Sequence, residues 1–155
     1  MPWTSSGRFF EEFDPGETFT TAGRTITEGD VSLFAGLSGD YNPLHVDEET
    51  ARRTPLKGRI AHGTLTLAVS TGQASQLGVF EGTILGLLGM DRVRFHGAVH
   101  LGDTIHTELK VKERRESPRP DRGTVIFSVA VLNQREERVL EAEWSFLLAR
   151  GERAA

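Results

Sequence analysis

The second half of the chain alternates apolar and polar residues, which is the pattern of β-strands with one buried face. The alternation and the strand-forming composition predict four long strands, over residues 83–95, 103–114, 123–133 and 139–149. Charged or proline-rich stretches at 115–122 and 134–138 predict solvated hairpin loops between the last three strands. Connections this short join antiparallel neighbours, so the pattern predicts an antiparallel sheet.

Residues 64–78, before this sheet, combine small and apolar side chains without a clear polar stripe. This composition predicts a helix covered on nearly all sides, with Gly78 ending it. A helix buried in this way needs a sheet wrapped around it. The predicted fold class is therefore α+β, a long antiparallel sheet around a central helix at 63–78, in one domain of residues 1–155.

The first quarter of the chain predicts an arm and a further strand. Residues 1–15 mix small, aromatic and acidic side chains and are expected to pack through Phe9, Phe10 and Phe13. Residues 17–26 are rich in threonine and alternate well enough to predict a strand, although a glycine near its end weakens the pattern.

A helix is predicted to follow, because Thr27 and Asp30 have the spacing of a capping box. Ser38-Gly39 is expected to end it. The apolar residues between these limits predict a short and largely buried helix, with Val31, Phe34, Ala35 and Ser38 on one face and Leu33 and Leu37 alongside.

The pattern then changes to polar, titratable and turn-forming residues around Asp40-Tyr41-Asn42-Pro43-Leu44-His45. In a continuous helix Asp40 and His45 would lie about 140° apart and could not face one substrate. Pro43 opposes this helix by removing a donor and restricting the residue before it. We therefore expect an irregular loop that turns both side chains toward one cavity, followed by a short exposed helix over residues 47–53.

Composition excludes several classes of function. A formal net charge of −4 gives no global basic field for nucleic acid or an anionic membrane. The lack of cysteine excludes disulfides, thiolate nucleophiles and cysteine-based metal sites. No signal-peptide pattern or membrane-length apolar run is present, so a cytoplasmic protein is expected.

Three sequence blocks resemble the motifs of the MaoC-like dehydratases, which include the (R)-specific enoyl-CoA hydratases. They are FAGLSGDYNPLHVD at 34–47, GRIAHGTL at 58–65 and VRFHGAVHLGDTI at 93–105. The spacing D-x-N-P-x-H is a specific signal, whereas the G-D-T block alone would be weak. Ala98 stands where the family usually has proline, outside the catalytic loop.

The resemblance implies a hot-dog fold in which residues 27–59 form an overhanging helix and catalytic loop. It implies reversible addition of water to 2-enoyl thioesters of CoA or acyl carrier protein, with no cofactor besides the CoA of the substrate. It also implies a homodimer, or a higher oligomer, whose two sheets join with each active site near the interface.

Three residues supply the chemistry that hydration needs. Asp40 can accept the proton of water, and the imidazole of His45 can exchange a proton near neutral pH. By resemblance, both hold the catalytic water. Gly63 is predicted as the oxyanion donor, because N–H groups at a helix start are unpaired and the dipole there is positive. The plainer interpretation of Gly63 is that it only permits tight packing.

Three neighbouring residues are predicted at the substrate-binding site in supporting roles. Asn42 is expected to hold the loop by backbone hydrogen bonds, Tyr41 to line the pocket or simply to pack, and His62 to orient the loop through its ring N–H. Asp40, His45, Asp47 and His62 are usable metal ligands, but their spacing matches no established metal motif, so no metal is predicted.

Basic residues cluster just before Gly63 and could receive the phosphates of CoA or form a solvated face: Arg52, Arg53, Lys57 and Arg59. Of these, Lys57 and Arg59 are the predicted substrate-binding residues. His96, His100 and His106 show no partner pattern, and packed or solvated side chains are expected there.

Two other functions compete with hydration. Hot-dog thioesterases and bacterial carrier-protein dehydratases commonly place a catalytic Asp or Glu on the central helix, and residues 64–78 contain neither. A non-catalytic acyl-CoA-binding or scaffolding subunit is the alternative from another class. The joint presence of Asp40, His45 and Gly63 argues against it.

Overall fold

The computed structural model describes residues 6–151, and its strands form one antiparallel sheet in the order β1-β4-β5-β6-β3, with β2 also paired to β4. The four predicted long strands are confirmed, with bounds within two residues of those expected. The strands are β1 (Thr18–Thr20), β2 (Arg24–Thr25), β3 (Ile84–Phe95), β4 (Thr104–Glu116), β5 (Arg122–Asn133) and β6 (Arg138–Ala149).

Four α-helices are described: α1 (Glu28–Ser38), α2 (Pro43–Val46), α3 (Glu48–Arg52) and α4 (Gly63–Gln76). Helix α4 lies against the sheet, and its Leu65 and Val69 belong to the same core as Leu109 of β4 and Leu140 of β6. The predicted helix is present over Gly63–Gln76, but the prediction that it is covered on nearly all sides is wrong for the single chain. One side of α4 faces no sheet, and it exposes Thr64, Ala68, Gly72 and Ser75.

The arm packs as predicted where the structure describes it, and its first five residues lie outside the described range. Phe10 opens a 3-10 turn, Phe10–Glu12, and both Phe10 and Phe13 are buried. Phe13 stacks on Phe80 at 5.8 Å between ring centroids. A Cβ on Gly123 would lie 2.5 Å from the Phe10 ring, so the arm requires glycine at that point of β5.

Helix α1 begins and ends as the sequence predicts, but it is not largely buried. Asp30 N–H donates to Thr27 Oγ1 at 3.3 Å, and Thr27 N–H donates to Asp30 Oδ2 at 2.8 Å. Leu33 and Leu37 are 79% and 85% exposed. Each follows a buried residue of the helix by two positions, about 200° around the axis, so the neighbours that cover one face leave these side chains outside.

The strand predicted over 17–26 is interrupted, and a buried polar network fills the gap between β1 and β2. Gln73 of α4 donates to the carbonyls of Ala22 and Ile105 at 2.9 and 2.8 Å, and it accepts from Thr107 Oγ1 at 2.9 Å. Thr107 N–H donates in turn to Thr21 Oγ1 at 2.9 Å. This network fixes α4 against the sheet, because each bond lies in or beside the core.

Replacement of Gln73 by Leu is expected to lower the free energy of unfolding by about 2 kcal/mol, because buried acceptors lose their donor. Urea denaturation should show a lower midpoint at an unchanged m value. Gln76→Leu is the matched control, since Gln76 is exposed at the end of α4. Equal stability of the two variants would contradict a structural role for the network.

No helix within residues 6–151 is long and apolar enough to cross a membrane.

Candidate active site

Asp40 lies in the loop after α1, outside any helix, whereas His45 lies in the short helix α2 that follows. Gly39, at φ +76°, ends α1. Asn42 Oδ1 accepts from Leu44 N–H at 3.0 Å and caps α2, in which Pro43 occupies the first turn. The prediction of an irregular loop through His45 is therefore wrong for residues 43–46. Proline is favoured at a helix start because the N–H that it lacks would be unpaired there.

The structure brings Asp40 and His45 together. Asp40 Oδ2 lies 4.0 Å from His45 Nε2, and the Asp40 side chain is 53% exposed whereas that of His45 is 12% exposed. His45 Nδ1 lies 2.8 Å from the carbonyl oxygen of Ile60. A carbonyl only accepts, so Nδ1 carries the proton in this bond and Nε2 is left to exchange one. A separation of 4.0 Å would allow one water molecule to hydrogen-bond to both residues.

Gly63 is the first residue of α4, and its N–H therefore belongs to the unpaired group at a helix start. A Cβ at this position would lie 2.9 Å from the ring of Phe95, which is 52% exposed. The absence of a side chain thus lets the aromatic ring approach the backbone. It also leaves the helix N-terminus open to a polar group of a ligand.

A cavity of about 600 Å³ is lined by Asp40 and Gly63, although not by His45, and its lining is mainly apolar. It extends from Asp40 and the start of α4 to the end of β3 and the loop that follows. The lining residues are Asp40, Leu56, Ile60, Gly63, Thr64, Thr66, Phe95, His96, Gly97, Ala98, Val99 and Val139. Such a cavity suits an acyl chain whose reactive end meets the polar groups.

Reasoning from the sequence identifies only Asp40 and Gly63 among the lining residues. Phe95 and His96 are two of those that it does not identify, because Phe95 is predicted only as a strand residue and His96 as packed or solvated. His96 Nε2 lies 3.3 Å from Glu141 Oε1 at the rim of the cavity. The sequence did contain a signal for these two residues. Both lie in VRFHG, at the start of the third block that resembles the family, although this block is distant in sequence from the Asp40 loop.

The other predicted residues are distributed unevenly around the cavity. Tyr41 is 62% exposed, and the structure places it beside Gly36 of α1 rather than in the cavity lining. Lys57 is exposed, follows Leu56 of the lining, and makes no ion pair with a described residue. Their contacts with substrate stay predictions.

Arg59 is held by two carboxylates. Its guanidinium donates to Glu28 at 2.9 Å and to Glu48 at 3.1 Å. These hydrogen bonds raise the pKa of Arg59 and lower the pKa of Glu28 and of Glu48. The arginine therefore ties α1, α3 and the segment before α4 together, and a phosphate group would have to compete with both acids.

Asp40, His45 and His62 each bring one potential ligand atom to within 4.8 Å of the others. Asp47 caps α3 instead, with Thr50 N–H donating to its Oδ1 at 3.0 Å, and the hydrogen bond from the Thr50 hydroxyl lowers its pKa. One nitrogen of each imidazole is already used on a backbone carbonyl. The lack of a resident metal stays a prediction.

Comparison with known proteins points to one family. The family model described as "MaoC like domain" matches residues 11–131. The chain is 37% identical over 107 residues to the (R)-specific enoyl-CoA hydratase of Rhodospirillum rubrum, covering 66% of this chain and 69% of that protein. It is 35% identical over 107 residues to protein MaoC of Klebsiella aerogenes, covering 69% of this chain but only 31% of that longer protein.

Solved structures show the same fold. The R-hydratase PhaJ1 of Pseudomonas aeruginosa superposes with a TM-score of 0.73 at 34% identity, covering 93% of this chain and 86% of that one. Rv0216 of Mycobacterium tuberculosis, described as a double hotdog fold, superposes with a TM-score of 0.84 at 24% identity, covering 96% of this chain and 46% of that one. The predicted hot-dog fold is confirmed.

Proposed function

The chain belongs to the MaoC-like dehydratase family, and we propose that it reversibly adds water to the double bond of a trans-2-enoyl thioester. The observation that carries the proposal is the approach of Asp40 Oδ2 to His45 Nε2 at 4.0 Å, beside the cavity that Gly63 lines. An acid/base pair, an oxyanion donor and an apolar cavity are the parts that this reaction requires.

The geometry suggests how the reaction proceeds. A water held by Asp40 and His45 loses a proton to this pair as its oxygen bonds to C3. The electron pair of the double bond moves toward the thioester oxygen, where the N–H of Gly63 and the positive end of α4 stabilise the charge. Delivery of a proton to C2 restores the thioester and completes the addition.

The likeness to the R. rubrum enzyme supports the (R) configuration at C3 and CoA as the carrier. Lys57 supports the same carrier. It follows Leu56 of the cavity lining in sequence, and its exposed ammonium group, which pairs with no described acid, is available to a phosphate. An acyl carrier protein also presents a phosphopantetheine thioester, so it is the alternative carrier.

We also propose that the working form is a homodimer joined through β3. This strand is at the edge of the sheet, paired only to β6 among the described strands. It carries a run of half-exposed apolar side chains, Ile84, Leu85, Leu87 and Leu88, at 40–58% exposure. An uncovered apolar edge strand favours pairing with a second strand, because its backbone N–H and C=O groups and its apolar side chains are unpartnered.

Replacement of Leu87 by Lys is expected to convert a dimer at micromolar concentration into a monomer, because a charge in the apolar edge opposes strand pairing. Sedimentation velocity measures the change. Leu37→Lys is the matched control, since Leu37 is exposed on α1 and lies outside the sheet. A wild-type protein that sediments as a monomer would refute the dimer.

The hydratase activity is tested with crotonyl-CoA and longer or branched 2-enoyl-CoAs. Loss of the enoyl-thioester absorbance is expected. The product should be oxidised by a dehydrogenase specific for (R)-3-hydroxyacyl-CoA and not by the (S)-specific enzyme. The same assay with enoyl thioesters of acyl carrier protein compares the two carriers.

Absence of turnover with every CoA and carrier-protein substrate would refute the proposal. Tight binding of acyl-CoA without turnover would instead identify a non-catalytic binding subunit. Oxidation of the product only by the (S)-specific dehydrogenase would retain the hydratase reaction and overturn its stereochemistry.

A further inference from the structure

We propose that His62 is a positioning residue, which fixes Asp40 and His45 relative to each other by a hydrogen bond to one and a ring contact with the other. This inference rests on the proposed hydratase function. It goes beyond that function by assigning the geometry of the acid/base pair to a third residue that need not exchange a proton.

The first observation is that His62 departs from the capping rule that the other helices follow. The side chains of Thr27, Asn42 and Asp47 each accept a backbone N–H at the start of α1, α2 and α3. His62 occupies the same position before α4, but its side chain caps nothing. Ser, Thr, Asp and Asn are preferred there because they satisfy an unpaired N–H. A histidine at this position, next to the candidate site and without a capping hydrogen bond, indicates that its side chain serves another purpose than helix capping.

That use is a hydrogen bond to Asp40. His62 Nε2 lies 2.9 Å from the carbonyl oxygen of Asp40, and the His62 residue is only 2% exposed. Because a carbonyl only accepts, Nε2 carries the proton. The remaining hydrogen bonds of Asp40 reach only Ser38 and Asn42, two positions away within the described chain. The hydrogen bond from His62 therefore joins Asp40 to the residue that precedes α4.

The same ring supports His45. The two imidazoles stack with centroids 3.8 Å apart and an interplanar angle of 27°. His45 is also held by its Nδ1 hydrogen bond to Ile60 O. One edge bond and one face contact fix both the tilt and the rotation of the ring, so Nε2 of His45 faces the Asp40 carboxylate.

The other ring nitrogen of His62, Nδ1, is left without a hydrogen bond in this arrangement. Nδ1 is buried and has no hydrogen-bond partner among the described residues. Buried polar atoms are almost always paired, so an unpaired one marks a position where another requirement outweighs stability. At His62 this other requirement is to present a hydrogen-bond donor at Nε2 to Asp40 and the face of the ring to His45.

Two variants separate the two contacts. His62→Phe keeps a ring for stacking and removes the donor, whereas His62→Gln keeps a donor near Nε2 and removes the ring. Loss of the donor should lower kcat by about 10- to 100-fold with KM within about threefold, since small displacements of reacting groups are costly. The Gln variant should recover part of this loss. His106→Gln, on β4 near Glu136, is the control and should retain wild-type kcat.

Wild-type kcat in His62→Phe would overturn the proposal. So would equal losses in the Phe and Gln variants accompanied by equal losses of melting temperature, because a purely structural role predicts that result. A rise in KM at constant kcat would reassign His62 to substrate binding and also overturn it.

A second measurement does not depend on activity. Ring ¹⁵N NMR of the wild-type protein should show His62 with its proton on Nε2 and His45 with its proton on Nδ1, and His62→Phe should shift the His45 signals. A proton on Nδ1 of His62 would refute the positioning role even in an active hydratase. An inactive wild-type protein with the expected tautomers would refute the function and leave the geometry intact.

Discussion

Replacement of Asp40 by Asn, or of His45 by Gln, is expected to lower kcat by about 10²- to 10⁴-fold, the usual contribution of a positioned acid or base. Each change keeps the size of the side chain and removes its ability to exchange a proton. Their functional atoms are 4.0 Å apart. In the proposed reaction they share one water, so neither residue can replace the other. Steady-state hydration of the best enoyl-CoA substrate measures the loss.

Asp47→Asn is the matched control for this pair. Asp47 is a nearby carboxylate, but it caps α3 through Thr50, and asparagine is an equally good cap. The control should retain kcat and stability. Retained activity in both Asp40→Asn and His45→Gln would show that the wrong groups have been assigned.

Replacement of Gly63 by Ala is expected to lower kcat by about 10²- to 10³-fold, comparable to the loss of one oxyanion donor. Alanine keeps the backbone N–H, but its Cβ would occupy the space that the thioester oxygen must enter. It would also lie 2.9 Å from the Phe95 ring, so some loss of stability should accompany the loss of activity. Kinetics and thermal unfolding measure the two effects separately.

The double variant Gly63→Ala, Phe95→Ala decides between the two interpretations of this glycine. If Gly63 only permits packing, removal of the Phe95 ring should restore activity to the level of Phe95→Ala alone. If it serves the oxyanion, stability should recover while kcat stays low. Gly72→Ala is the control, since nothing lies within 4 Å of its Cβ and alanine favours a helix.

Local rules predicted much of the fold because they depend on residues close in sequence. The Thr27 capping box and Gly39 set the limits of α1, and alternation set the four long strands. The same rules misjudged what lies on each face. Leu33 and Leu37 are apolar at helical spacing, yet they are exposed, because apolar spacing shows which residues share a face and not whether another element covers it.

The sequence by itself determined which groups are available for the chemistry. The D-x-N-P-x-H loop, the glycine at the start of α4 and the family resemblance are sufficient to predict Asp40, His45 and Gly63 as the reacting groups. Pro43 placed a break between the side chains of Asp40 and His45, although the turn that follows is helical rather than irregular. Each of these features depends on a few residues that are neighbours in sequence, and each can therefore be predicted from the sequence.

Only the tertiary structure decided how these groups meet. His62 contacts a carbonyl 22 residues earlier and an imidazole 17 residues earlier, while Phe95 approaches Gly63 from the end of β3. Arg59 is occupied by acids 31 and 11 residues earlier rather than free for a phosphate. Such contacts form only when the sheet and α4 pack together and bring the loop of Asp40 and the end of β3 to one cavity. No local pattern of side chains specifies that approach.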